Sequence, residues 1–252
     1  MTEEMTIETY LAQGGVLTNP TNVPPRYRAE LLKLMATFVD SELAGAAGFA
    51  DAINLGPGIK ERIAAAKIVL EKTDNADKVL KVMAEFGVDT HRYANHHPWT
   101  ARLDRNADIG ASRSDHDMRL AVFNYPLADW GDAVMMNLLM GLAVRVQLAE
   151  LSRISYQPLA QAFREILPVE TRHSELAFDG AQKLIDHGHS GALQEAVTYW
   201  WPRVIASFGS VASSKADELK SLGLRHSTNA DLRREWETAA GQALETLGLS
   251  KP

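Results

Sequence analysis

Apolar positions along this chain recur every three to four residues, which is the spacing of one buried face of an α-helix. Alternating apolar and polar positions, the pattern of a half-buried strand, do not form any run bounded by turn residues. The periodicity predicts helices over about 5–13, 24–54, 59–87, 88–97, 113–123, 127–153, 157–187, 192–221 and 229–247. The sequence therefore predicts an all-α protein.

Four of the predicted helices are long, and they are joined by short breaks except for one irregular insert. The tripeptide Gly-Pro-Gly at 56–58 is the clearest break. Four long helices with an insert, followed by two further helices, are typical of an elaborated four-helix bundle. Because no flexible linker interrupts the chain, we expect a single domain over 1–252. Its core bundle should span about 24–188 and its C-terminal helices about 192–248.

Composition narrows the function classes. Hydrophobic residues make up 46% of the chain and charged residues 23%, which is typical of a folded globular protein. Cysteine is absent, which excludes disulfides, cysteine-bound metals and thiol catalysis. The net charge is −6 and no basic block occurs, so we expect neither nucleic acid nor a membrane as partner. The apolar stretch 133–146 is too short to span a membrane and the N-terminus lacks a signal-peptide pattern, so we expect a cytoplasmic location.

One helix carries a pair of residues with metal-binding chemistry. Glu170 and His173 stand three residues apart, so both side chains point to the same side of the predicted helix 157–187. Phe163 and Ile166 precede them on the apolar face, which directs the pair into the core. A carboxylate and an imidazole at this spacing can hold one metal ion, although the motif also arises by chance.

A second inward acid, Glu42, lies between Phe38 and Phe49 on the apolar face of the first long helix. Ionised carboxylates are seldom fully buried without a partner, so Glu42 and Glu170 require a metal ion or an opposite charge. Ferritin-like di-metal sites use a Glu from each of two helices and a Glu-x-x-His from each of the other two. Glu42, Glu170 and His173 fill half of that template.

The other half of the template lacks ligands at the expected positions. The second long helix presents Lys72 and Asn75 on its inward face, and the third presents Gly141 where an acid would stand. Glu71 and Asp74 each precede one of these inward residues by one position, so they lie on a neighbouring face of the second helix that also carries several lysines. We expect these two acids to face water, and they are fallback ligands only.

Several short motifs follow one another in a specific order within about residues 24–180. They are Ser41-Glu42, Phe123-Asn124-Tyr125-Pro126, Trp130, Asp132, Arg153, Ser155-Tyr156, Pro158 and Glu170-x-x-His173. In this order and spacing, the chain resembles the phenylacetic acid catabolic family, which contains the catalytic and non-catalytic oxygenase subunits of a phenylacetyl-CoA ring epoxidase.

The resemblance implies a ferritin-like fold. It also implies, for catalytic members, two irons that activate dioxygen and epoxidise the ring of an aryl-CoA thioester, with electrons from a reductase. Glu42, Glu170 and His173 fall on ligand positions of the family. Lys72 and Asn75 stand where the family has Glu and His.

Three functions are open on this basis. The favoured one is a component of an aromatic acyl-CoA oxygenation system with a degenerate di-iron site and a structural or regulatory role. In it, Lys72 would supply the charge that Glu42 and Glu170 need; no cofactor is then favoured, and iron is bound only if the site is functional. The second is an active di-iron monooxygenase that recruits Glu71 and Asp74. The third is a metal-free acyl-CoA-binding protein.

The sequence also predicts the partners of the chain and the places of its aromatic and histidine pairs. We expect a homodimer, or a hetero-oligomer with a homologous oxygenase subunit, and an acyl-CoA as the candidate ligand. Trp200 and Trp201 should pack against the bundle or a partner, because aromatic residues are enriched at interfaces. His96 and His97 stand together without a neighbouring carboxylate in sequence, so we expect them at the surface or in a loop.

Overall fold

The structure, a computed structural model, describes residues 5–113, 116–210 and 214–252, and these residues form an all-α protein. Its helices are α1 (Ile7–Ala12), α2 (Pro25–Ala52), α3 (Ile59–Glu85), α4 (Thr90–His96), α5 (Trp130–Leu151), α6 (Gln157–Asp186), α7 (Ser190–Ala206), α8 (Ser214–Ser221) and α9 (Asn229–Thr246). An isolated β bridge pairs Leu17 with Tyr156. The all-α prediction is confirmed.

Helices α2, α3, α5 and α6 form the bundle. α2 packs along α3 and α5 packs along α6, and the two pairs meet through contacts of α3 with α6 and of α2 with α5. The additional helices α7 and α9 both pack on α5. This arrangement is the ferritin-like bundle with additional helices that the sequence predicted.

Helix α5 lies at the centre of the molecule because it is apolar on nearly every side. A helix that is hydrophobic all round must be buried all round, and α6, α7 and α9 cover it. By length and composition α5 could also cross a membrane, contrary to the expectation from its interrupted apolar stretch. However, 72% of its most apolar window is buried inside the protein, as in the core helix of a globular fold.

The predicted helix over 113–123 is wrong. Apart from residues 114–115, which lie outside the described ranges, this stretch has turn and irregular backbone up to a short 3-10 turn, Ala121–Asn124. Side chains of α2 take the backbone donors that a helix would use. The carboxylate of Asp40 accepts from Met118 N at 2.7 Å, and the hydroxyl of Ser41 accepts from Leu120 N at 3.0 Å.

The single helix predicted over 192–221 is divided into α7 and α8. The backbone leaves the helix after Ala206 and adopts a left-handed conformation at Gly209, with φ of +75°, which glycine accepts without a steric penalty. The amide of Gly209 donates to Ala206 O at 3.2 Å and closes the end of α7. Residues 211–213 of the predicted helix lie outside the described ranges.

The aromatic residues of α7 pack within the chain. Trp200 is fully buried and its indole donates to Asp132 Oδ1 at 2.8 Å, which ties α7 to the start of α5. Trp201 stacks at 4.5 Å, between ring centroids, on Trp236 of α9. Packing against the bundle, one of the two predicted alternatives, is confirmed. These residues therefore give no support to a dimer.

Candidate functional site: a buried lysine at the centre of the bundle

A buried ammonium group occupies the centre of the four-helix bundle. Lys72 Nζ of α3 lies 3.1 Å from Glu42 Oε1 of α2 and 3.0 Å from Glu170 Oε2 of α6. The three residues are only 4%, 2% and 1% exposed, so water does not screen the charges. Their convergence agrees with the prediction that these side chains meet in the core.

Asn75 completes the contacts of the carboxylates. Its Nδ2 donates to Glu170 Oε1 at 3.0 Å and to Glu42 Oε2 at 3.4 Å. Because Lys72 and Asn75 are three residues apart on α3, both reach the same space between α2 and α6. We call Glu42, Lys72, Asn75, Glu170 and His173 the central cluster.

Small residues make room for this arrangement. A Cβ atom at Gly45 would lie in ordinary contact with Lys72 Cδ, at 3.5 Å, but only 3.2 Å from the ring of Phe123, so a larger residue would crowd that ring beside the lysine stem. On α5, a Cβ atom at Gly141 would lie 3.0 Å from Ser174 Cβ of α6. The close approach of α5 and α6 therefore leaves no room for an acid at Gly141 unless Ser174 moves.

Burial and neighbouring charges shift the pKa values of Glu42 and Glu170 in opposite directions. Desolvation and the neighbouring Glu170 raise the pKa of Glu42, and they outweigh the stabilising contact with Lys72. Burial also acts to raise the pKa of Glu170, but Lys72 and His173 outweigh it and hold that pKa well below its ordinary value. The same two carboxylates overcome desolvation and raise the pKa of Lys72. These shifts favour a Lys72–Glu170 ion pair beside a Glu42 that keeps its proton to a higher pH than an exposed glutamate does.

His173 connects the cluster to the edge of the bundle. Its Nδ1 lies 3.3 Å from Glu170 Oε1, and its Nε2 lies 2.8 Å from Glu71 Oε2. Glu71 also binds the guanidinium of Arg172. The expectation that Glu71 faces water is therefore wrong, since its side chain is only 19% exposed. The lysine row of α3 suggested a solvated face, and no local pattern indicated that Arg172 and His173 reach across from α6.

Asp74 lies where it was expected. Its side chain is 60% exposed and pairs with Lys78 one turn along α3. It therefore points away from the central cluster. Of the fallback ligands, only Glu71 approaches the cluster, and it does so through His173.

The donor set can be compared with the ferritin-like template. The cluster offers two carboxylates and one imidazole, and the ammonium of Lys72 lies between the carboxylates, where a bound cation would have to sit. Asn75 and Gly141 provide neither the second imidazole nor the further acid of the template. The residues present therefore do not fit a two-iron centre.

His97 lies in the loop that follows α4, one of the two predicted places, but its side chain is not at the surface. His97 is buried, and its Nε2 lies 3.1 Å from Asp117 Oδ1 and 3.4 Å from Asp40 Oδ2. Both acids are distant in sequence, so spacing alone could not indicate the contact. His96, by contrast, is exposed as expected.

Comparison with known proteins agrees with this architecture. The sequence profile of the family described as phenylacetic acid catabolic protein matches residues 5–252. The chain belongs to the phenylacetic acid catabolic protein family. A curated relative is one of the subunits of the 1,2-phenylacetyl-CoA epoxidase of Escherichia coli strain K12. It is 25% identical over 258 residues, which cover 100% of this chain and 78% of the relative. The resemblance inferred from the short motifs is confirmed.

Proposed function

We propose that this member of the phenylacetic acid catabolic protein family is a component of an aromatic acyl-CoA oxygenation system with a structural or regulatory role. In this proposal, the ion pair of Lys72 with Glu170 replaces iron at the centre of the bundle. Glu42, Glu170 and His173 are then remnants of a ligand set in which Lys72 and Asn75 have replaced ligands. The whole chain then forms a single domain, and the protein acts in the cytoplasm.

The position of Lys72 Nζ is the observation that carries this proposal. The ammonium contacts both buried carboxylates at 3.0–3.1 Å, and Asn75 contacts them as well. A metal ion and an ammonium cannot occupy the same space. Moreover, displacement of the lysine would require a new partner for its charge, which costs several kcal/mol in a buried site.

Iron analysis of protein grown in iron-supplemented medium tests the proposal. We expect no iron at the central cluster, so the iron content should be the same in the parent and in Glu42→Gln. That variant keeps the shape of the protonated carboxyl group. Two irons per chain in the parent, lost in Glu42→Gln, would support the active monooxygenase instead.

An acyl-CoA ligand is compatible with the ion pair, and one cavity favours this second candidate. A cavity of about 230 Å³ lies between α2, α3, α5 and α6, with Phe49, Ile68 and Trp130 among its apolar lining and Asn137 among its polar lining. Asn137 donates to the backbone oxygen of His173, so the cavity borders the central cluster. Ligand cavities are mainly apolar with a few polar groups and typically measure about 300–1,000 Å³, so this smaller cavity would hold the acyl group and not the whole acyl-CoA.

Calorimetric titration with phenylacetyl-CoA tests this second candidate. Ala64 lines the same cavity, and Ala64→Trp should fill it and abolish binding, whereas Ala66→Trp on the exposed face of α3 should not. Equal binding by both variants would remove the cavity from the proposal.

The assembly is part of the same proposal. We propose that the chain forms a homodimer or a hetero-oligomer with a homologous oxygenase subunit, because the relative from Escherichia coli is named as one component of an epoxidase with several chains. Light scattering that reports a monomer across a wide range of concentration would contradict the homodimer. Co-purification with the homologous oxygenase subunit would then support the hetero-oligomer, and its absence would contradict it.

A further inference from the structure

A second cluster of metal-ligating side chains lies outside the central cluster. Asp40 of α2, His97 at the end of α4 and Asp117 are all buried, with exposed fractions of 2%, 8% and 9%. One ligand atom from each of them lies within 4.8 Å of the other two. No step of the proposed function uses these residues, and they are part of the contact between α2 and the insert that joins α3 to α5.

We propose that Asp40, His97 and Asp117 bind one divalent transition-metal ion of the zinc and cobalt class. Metal–ligand bonds of about 2.0–2.2 Å place neighbouring ligands of a tetrahedral ion about 3.3–3.6 Å apart. The two edges from His97 Nε2 measure 3.1 Å to Asp117 Oδ1 and 3.4 Å to Asp40 Oδ2. Three protein ligands leave the fourth position to water.

The outer oxygen of each carboxylate is already held by a hydrogen-bond donor. Tyr93 donates its hydroxyl proton to Asp40 Oδ1, and Arg119 Nε donates to Asp117 Oδ2 at 2.6 Å. The inner oxygens each accept one backbone amide, Met118 N on Asp40 Oδ2 and Arg119 N on Asp117 Oδ1. A carboxylate oxygen has a second lone pair, so both inner oxygens can still bind a metal. Ligands oriented by outer partners in this way are typical of metal sites.

The alternative occupant of this position is a proton on His97 Nε2, shared between the two aspartates. Asp40 and Asp117 carry two negative charges, and the fully buried guanidinium of Arg119 compensates one of them. Arg119 therefore weakens the affinity for a divalent cation, while the remaining carboxylate charge favours it. His97 Nδ1 is buried and has no hydrogen-bond partner in the described part of the chain. Nδ1 stays unpaired whether Nε2 binds a metal ion or carries a proton, so it does not favour either occupant.

A metal ion at this position would hold the insert against α2 at Asp40, which lies two residues before Glu42 in the sequence. Binding to the folded state alone raises the free energy of unfolding, and above the dissociation constant the increase grows with the logarithm of the metal concentration. The site would then be structural, and it would be independent of whether the central cluster binds iron.

The test uses protein stripped with a chelator and titrated with Zn²⁺ and Co²⁺. We expect one ion per chain, a rise in the melting temperature, and a cobalt absorption spectrum of a four-coordinate site with nitrogen and oxygen ligands. His97→Gln and Asp117→Asn should abolish all three effects. Tyr93→Phe, which removes an outer partner, should weaken binding about tenfold or more. His96→Gln, the exposed neighbour, should bind like the parent.

Three outcomes would overturn this inference. The parent could bind no ion, in which case the proton occupies Nε2. His97→Gln could bind as well as the parent. Binding could instead be lost in Glu42→Gln and kept in His97→Gln, which assigns the ion to the central cluster and contradicts the proposed function as well. The cobalt spectrum of the parent is read directly, so the result does not depend on whether a variant folds.

Discussion

At the scale of single residues, the buried ion pair of Lys72 predicts a large effect when the lysine charge is removed. Lys72→Met leaves Glu170 buried without its cation, so we expect the free energy of unfolding to fall by ~3–5 kcal/mol. Lys81→Met is the matched control on the same helix. Its pair with Asp77 is exposed to solvent, so its loss should change the free energy of unfolding little. Urea denaturation measures both, and equal stabilities for the two variants would show that the central ion pair is not structural.

The raised pKa of Glu42 predicts a pH dependence of stability. Its pKa rises from 4.5 to about 8 on folding, because burial and Glu170 disfavour its charged form. The folded state then holds a proton that the unfolded state releases. The contribution of Glu42 to the free energy of unfolding is therefore complete below pH 4.5 and is lost as the pH rises to about 8. The lowered pKa of Glu170 acts in the opposite sense, and its contribution is lost as the pH falls below 4.5.

Glu42→Gln should remove the first of these dependences. Between pH 5 and pH 8, the free energy of unfolding of the parent should fall by up to about 1.4 kcal/mol per pH unit because of Glu42. The free energy of unfolding of the variant should fall less, and the variant should be the more stable protein at pH 8. Glu165→Gln, which changes an exposed acid of α6, is the control and should follow the parent. Parallel pH profiles for the parent and Glu42→Gln would contradict the protonated state of Glu42.

The inward direction of Lys72 and Asn75 could be predicted, because hydrophobic periodicity fixes the direction of every side chain on a helix. Periodicity cannot show contacts that long side chains make across helices. For this reason Glu71 was assigned to the solvated row, although its carboxylate reaches His173 of α6.

At the scale of helices, the long elements were predictable and the insert was not. Long helices bury a continuous apolar stripe, and their ends carry local signals such as the left-handed Gly87 after α3. The stretch 116–120 was predicted as part of a helix, but Asp40 and Ser41 of α2 bind its backbone amides. Tertiary hydrogen bonds of this kind have no signal in the local sequence.

The contact of Ser41 with the insert predicts a measurable cost. In Ser41→Ala, the amide of Leu120 loses its acceptor in a partly buried position, so we expect the free energy of unfolding to fall by about 1–3 kcal/mol. Ser221→Ala removes an exposed hydroxyl that bonds only its own helix turn and should have little effect. Equal stability of the two variants would show that the insert is held by other contacts.

At the scale of the whole molecule, the fold class and the family followed from the sequence, whereas the single domain stays a prediction. Three of the five tryptophans, Trp200, Trp201 and Trp236, lie in the C-terminal helices and pack towards α5. If the chain is one domain, tryptophan fluorescence and far-UV circular dichroism should report the same unfolding midpoint in urea. Two separate transitions would divide the C-terminal helices from the bundle.

The central claim, that Lys72 takes the place of a metal ion, is tested most directly by the double variant Lys72→Glu with Asn75→His. The change converts the ion pair into a set of carboxylates and imidazoles that includes Glu42, Glu170 and His173. The melting temperature is measured for chelator-stripped protein with and without Mn²⁺. Because the parent and the variant share the Asp40–His97–Asp117 cluster, any shift due to that cluster appears in both and cancels in the comparison. We predict that Mn²⁺ raises the melting temperature of the double variant more than that of the parent. Equal shifts in the two proteins would contradict the account.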